Sequence, residues 1–135
     1  MAIQMSVAVR TARLDTVEST IGTAAVLKIY DLTAGAPADC AAAITGTVLA
    51  TMTLPSDWMN AASAGSKTKL GTWQDASADD AGTADFFRLF ASDGTTCHMQ
   101  GTCGQGTGDL QLDNTSITAG QSVTVTAFTL TDGNA

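Results

Sequence analysis

At 135 residues the chain has room for one domain around one core, and 44% apolar residues place it among folded rather than disordered chains. Thirteen acids against six bases leave a net charge of −7, and with no Lys/Arg cluster this excludes binding to nucleic acid through its phosphates. No uncharged apolar run approaches the roughly 20 residues of a membrane span. The apolar start lacks the basic lead-in of a signal peptide and is broken by Arg10 and Arg13, so synthesis in a cytoplasm without a targeting segment is expected.

The first element is a helix over Ser6–Ile21. Val7, Leu14, Val17 and Ile21 recur at three-to-four spacing, with Ile3 and Arg10 completing the stripe. Ser6 is a natural N-cap and Gly22 a natural stop. Arg10, Arg13, Asp15 and Glu18 are expected on the wet side. Beyond Gly22 the period becomes two. Ala25–Asp31 is a strand with Leu27 and Ile29 on one face and Lys28 and Tyr30 on the other. Val48–Leu54 is a second, with Val48, Ala50, Met52 and Leu54 inward.

Pro55-Ser56-Asp57 opens a short helical turn that folds Trp58 and Met59 back onto the core, and Lys67–Trp73 is a further strand. Asp75–Ala84 is acidic and aperiodic, hence an exposed loop. Asp85–Ala91 resumes as a strand, and Asp93-Gly94 turns it into a hairpin with Thr96–Gly101. Asp109–Asp113 alternates cleanly. Ser122–Thr131 is the longest strand, and its apolar parity slips near Ala127, where a bulge is expected. About seven strands with turn signals every 8–12 residues describe a mainly β protein. The expected fold is an antiparallel β-sandwich, jelly-roll-like or immunoglobulin-like, with one N-terminal helix. It forms a single domain over 1–135, with the arm and helix in 1–22 and the sandwich in 23–135.

Chemistry is sparse along this chain. The one histidine, His98, alternates with Cys97 and Met99 and should face outward, with no nucleophile elbow to make it catalytic. Cys40, Cys97 and Cys103 do not have the number or spacing of a zinc site. A Cys97–Cys103 disulfide would require the strand between them to reverse, because six extended residues span about 20 Å and bridged Cα atoms lie within about 7 Å. Free, buried thiols are expected instead. Asp75, Asp79 and Asp80, or Asp109 with Asp113, do not match a calcium loop. Asn114-Thr115-Ser116 reads as a turn, and Gly101–Gly108, without Lys or a following helix, as a flexible connection rather than a phosphate loop. No catalytic residue, metal or cofactor is expected.

The order of motifs carries a resemblance. A short N-terminal helix is followed by Leu27-Lys28-Ile29-Tyr30, a Gly35-Ala36-Pro37 loop, and Thr45-Gly46-Thr47-Val48-Leu49-Ala50 running into Leu54-Pro55. Then come Ala84–Phe90, Ser92-Asp93-Gly94-Thr95, Leu110–Thr118 and a Thr/Val-rich last strand. Over nearly its whole length the chain resembles small structural proteins of tailed bacteriophages. The resemblance implies a virion component assembled in the host cytoplasm, with copies of itself and the major capsid protein or other virion proteins as partners. A capsid decoration or cement role is expected first, a tail or fibre component second. A sugar-binding sandwich would instead need Tyr30, Trp58 or Trp73 exposed. The residues expected at an interface are Met1, Ile3, Met5, Arg10 and Arg13. Two dispositions of the apolar arm stay open: it reaches a neighbouring subunit, or it packs on its own sandwich.

Overall fold

Helix α1 (Val7–Ile21) begins and ends where its caps dictate in the computed structural model, which describes residues 1–133. Ser6 Oγ accepts from the Val9 N–H at 3.3 Å. Gly22, at φ +91°, closes the last turn by donating its N–H to the Glu18 carbonyl. Leu14 and Ile21 are buried and Val17 packs beside them, whereas Val7 is half exposed. The apolar stripe is thus used only from the third turn onward, and the first two turns project past the core. Of the side chains expected on the wet side, Arg13 and Asp15 are exposed and Arg10 and Glu18 are partly buried. Asp15 and Glu18 also reach the segment 58–67 and hold it.

Among the described residues ten strands follow where about seven were expected: β1 (Val26–Leu32), β2 (Gly46–Thr53), β3 (Ser66–Thr68), β4 (Gln74–Asp75), β5 (Gly82–Thr83), β6 (Phe86–Phe90), β7 (Cys97–Gly104), β8 (Leu110–Leu112), β9 (Ser116–Ile117) and β10 (Val123–Thr131). The protein is mainly β, with one large sheet in the order β2-β1-β6-β7-β8-β10-β3, β4 also pairing with β10, and β5 with β9 forming a small second sheet. The expected strand over Lys67–Trp73 is split between β3 and β4, because Gly71, at φ +75°, turns the chain between them. Residues 55–57 form a bend and not a helical turn, yet Trp58 and Met59 are buried as expected. The acidic segment 75–84 is no free loop, since it contributes β4 and β5 and buries Ala78 and Ala84.

Three bulges adjust the sheet. Ile29 and Tyr30 face Ala50 and Val48, leaving Leu49 as the extra residue; it turns inward, fully buried beside Ala50. Leu89 and Phe90 face Met99 and Cys97, which leaves His98 unopposed. Val125 and Ala127 face Leu112 and Gln111, so Thr126 is the bulge foreshadowed by the parity slip.

One pairing departs from the antiparallel expectation: β7 and β8 run parallel, Cys103 opposite Leu110 and Gly104 opposite Gln111. Such neighbours normally need a long crossover. Here a tight excursion over residues 104–109 suffices, because glycines take conformations closed to other residues. Gly108 sits at φ +84°, and a Cβ there would lie 3.0 Å from the Cys103 carbonyl carbon. The Gly-rich stretch is therefore ordered structure, fastened by Asp109 Oδ2 accepting from both N and Oγ1 of Thr102 at 2.9 Å. Replacing Gly108 with Ala should cost about 1–3 kcal/mol of unfolding free energy in urea titrations. The same change at Gly94, whose Cβ meets nothing within 4 Å, should cost less.

The core is threaded by an aromatic chain. Trp58 and Trp73 rings lie 5.9 Å apart, Trp73 and Phe128 5.5 Å, and Phe128 and Phe87 5.8 Å. Trp58 Nε1 donates to the Gly22 carbonyl and Trp73 Nε1 to the Leu70 carbonyl. At the sheet's far edge, Asp75 Oδ2 accepts from the Thr51 N–H of β2 and the Asp79 N–H donates to the Leu49 carbonyl. These bonds tie the segment after β4 to β2, the opposite end of the strand order. β6 is buried on both faces. Its inner side joins the core, and its outer side lies under the β1–β2 connection, residues 33–45.

Candidate functional site

The arm and the first turns of α1 stand apart from the rest of the surface. Of the six large hydrophobic side chains left exposed among the described residues, Met1, Ile3, Met5, Val7 and Val9 lie within nine residues of one another, and Leu70 is the sixth. Ile3 is 86% exposed. The arm's apolar side chains stay exposed and do not join the core of the sheet.

Arg10 and Arg13, the other two expected interface residues, are engaged within the chain. Arg10 Nη1 donates to the Asp132 carbonyl at 2.9 Å, and its guanidinium packs against Gly65. Arg13 Nε pairs with Asp132 Oδ2 at 3.1 Å, while Nη1 donates to Met5 Sδ at 2.9 Å. The two arginines fasten α1 to the end of β10 and orient the root of the arm. They position the exposed apolar group and are not part of it.

Beside α1 runs an open cleft of about 620 Å³ lined by Asp15, Glu18, Asp57, Met59, Lys67 and Leu70 among others. Its floor is a buried ammonium. Lys67 Nζ donates to Asp15 Oδ1 at 2.8 Å, to Glu18 Oε2 at 3.1 Å and to the Asn60 carbonyl at 2.9 Å, which uses all three of its protons. Glu18 Oε1 accepts from the N–H groups of Trp58 and Met59, and Asp15 Oδ1 from that of Ala62. Burial alone would draw the Lys67 pKa down, but the hydrogen bonds and charges of Asp15 and Glu18 outweigh it and raise the value. The Lys67 hydrogen bond, aided by that from Ala62, lowers the carboxyl of Asp15. Lys67 uses all its protons within the chain, and the network seats α1 against the segment 58–67.

The remaining candidates are likewise occupied by structure. His98 is exposed as expected, but through the bulge that leaves it unopposed and not through strict alternation, since Met99 packs on the core and Cys97 does not. Asp75, Asp79, Asp80, Asp109 and Asp113 each accept from nearby N–H or hydroxyl groups. Among the described residues no three His, Cys, Asp or Glu side chains converge as a metal site. Asn114 Oδ1 accepts from the Ser116 N–H, which makes the segment a turn. Asp93 accepts from Thr96 Oγ1 and from the N–H groups of Thr96 and Thr95, which lowers its pKa to about 2 and fixes the β6–β7 hairpin. Trp58, Trp73 and Tyr30 are buried, so none of them offers a stacking face to a sugar. The three cysteines are free; Cys103 points into the core, where burial and the charge of Asp85 push its thiol up to about 12.

Sequence reasoning missed both buried cations, Lys67 and Arg88. Arg88 donates through Nε to Gln100 Oε1 and through Nη2 to the carbonyls of Asp39 and Ala42. The one signal was a basic residue centred in the apolar run Asp85–Ala91. Among the described residues no helix is long and apolar enough to cross a membrane. No known family, curated protein or solved structure matches the chain.

Proposed function

We propose that this chain is a non-catalytic structural protein of a bacteriophage particle. Its role there is that of a decoration or cement protein that binds the head lattice and stabilises it. The observation that carries this reading is the group of exposed apolar side chains Met1, Ile3 and Met5 in the arm and Val7 and Val9 in the first turn of α1, a helix fastened to the body of the protein. A lattice-binding protein needs such a group: a firmly seated sheet domain with a short apolar reach toward copies of itself and the capsid protein. The chain's acidic charge keeps the free subunit soluble until it docks. We read the large sheet as the two layers of a jelly-roll-like or immunoglobulin-like sandwich. Support comes from the aromatic chain between its faces and from the bonds that join the segment after β4 to β2.

The test is co-sedimentation with expanded phage heads, paired with the mass of the free protein in solution. Ile3→Asp combined with Val7→Asp should weaken head binding by about 100-fold or more, because each buried aliphatic side chain contributes about 1.5–3 kcal/mol. The melting temperature should not change, since neither residue belongs to the core. Undiminished binding by this variant would remove the arm from the interface. A monomer without affinity for heads would move the protein to the tail or fibre.

A further inference from the structure

The outer face of the β1–β6–β7 ladder carries a second, smaller packed layer that the assembly reading does not use. Arg88 and Gln100 are cross-strand partners on this face. Arg88 Nη2 holds the Asp39 carbonyl at 3.0 Å and the Ala42 carbonyl at 2.8 Å, one on each side of Cys40. Gln100 Nε2 holds the Pro37 carbonyl at 3.0 Å. These three bonds clamp residues 37–42 onto the sheet, and they hold Cys40 on the face where Cys97, the first residue of β7, sits opposite Phe90, so that the two thiols influence one another. Both are partly exposed, whereas Cys103 is buried on the opposite face.

We propose that Cys40 and Cys97 are a redox pair whose oxidation to a disulfide bolts the 33–45 connection to the sheet. The connection has no regular secondary structure over most of its length. It can therefore shift to bring the two sulfurs to the about 2.05 Å of an S–S bond. The co-reactant is a small organic disulfide such as oxidised glutathione. One protein thiol loses its proton and attacks a sulfur of the reagent, expelling one glutathione thiolate and leaving a mixed disulfide. The second protein thiolate attacks the protein sulfur of that bond and expels the other glutathione. Two protein thiols lose two electrons and two protons, and the reagent's S–S bond becomes two thiols.

Burial, and then the neighbouring Cys40 thiol, push Cys97 up to about 11, which keeps it protonated and unreactive at neutral pH. The pair should accordingly stay reduced in a cytoplasm and close once a reducing pool is gone. The bridge spans a long loop, and such closures stabilise strongly through the unfolded chain.

The test incubates the purified chain in a glutathione redox buffer at pH 8.5, then blocks remaining thiols and maps the peptides. The expected product is lighter by two hydrogens, joins the Cys40 and Cys97 peptides, leaves Cys103 free, and melts roughly 10 °C higher. Cys40→Ser and Cys97→Ser should each abolish both changes. A chain that retains three alkylatable thiols, stops at a glutathione adduct or joins Cys103 to either partner overturns the proposal. The readout does not involve phage heads, so its failure is separate from failure of the assembly reading.

Discussion

Lys67→Ala is expected to cost about 3 kcal/mol of unfolding free energy and to loosen α1 from the body of the protein. Breaking a buried ion pair by removing one partner typically costs about 3–5 kcal/mol. The lower end applies because Asp15 and Glu18 keep 47% and 18% of their side-chain surface in water. The loss also strands the Asn60 carbonyl, which Lys67 alone serves at 2.9 Å through its side chain. The effect should depend on pH, with the sign set by the shifts. The Lys67 pKa is raised above its ordinary 10.5, so its contribution is complete below that value and disappears as pH rises through the raised one. The Asp15 pKa is depressed below 3.8, so its contribution is complete above that value and disappears as pH falls through the depressed one. The difference between wild type and variant should therefore form a plateau from about pH 4 to about pH 10 and shrink at both ends. Urea titrations across that range measure it directly, and a pH-independent difference would sink the ion-pair account.

Arg88→Ala is the second large effect, expected at about 3 kcal/mol by a different physical route. The Arg88 side chain is 5% exposed and pairs with no carboxylate; carbonyls and the Gln100 amide oxygen surround it. Hydrogen bonds to a charged group contribute about 1.5–3 kcal/mol, and orphaned acceptors add to the cost of removal. Because a guanidinium keeps its charge across the range in which proteins stay folded, this penalty should not vary with pH. The local signature should be distinctive. With the clamp gone, residues 37–42 should lift, and Cys97 should react with iodoacetamide several-fold faster while Cys103 does not. Equal labelling of Cys97 in both proteins would mean that the 33–45 segment is held by packing alone.

The two cations explain why some of this molecule was legible in its sequence and some was not. Elements whose cause is local were readable: Ser6 and Gly22 bracket α1, Asp93-Gly94 makes the β6–β7 hairpin, and the parity slip near Ala127 is a bulge. Features that arise between distant segments were not. Asp15 and Lys67 look like ordinary surface charges until the fold sets them 2.8 Å apart. Asp75 looks like loop punctuation until it accepts from Thr51. Cys40 and Cys97 influence one another only once Arg88 holds the loop on the sheet. The apolar arm was visible from composition, but whether it packed on its own sheet depended on how early the stripe of α1 left the core. Val7 stands at the start of that stripe, before the turns that reach the core, and Val9 lies off the stripe; both are exposed.

The clasp of Arg10 and Arg13 on Asp132 carries a consequence for the order of events during synthesis. Residue 132 must be made, and β10 laid down, before residues 10 and 13 have anything to hold. β1 likewise waits for β6, whose first residue follows its last by 54 positions. At about 5–20 residues per second, Arg10 and Arg13 spend several seconds outside the ribosome before Asp132 is made. The first turns of α1, and the arm that leads into them, are therefore fixed in direction only after the last strand is in place.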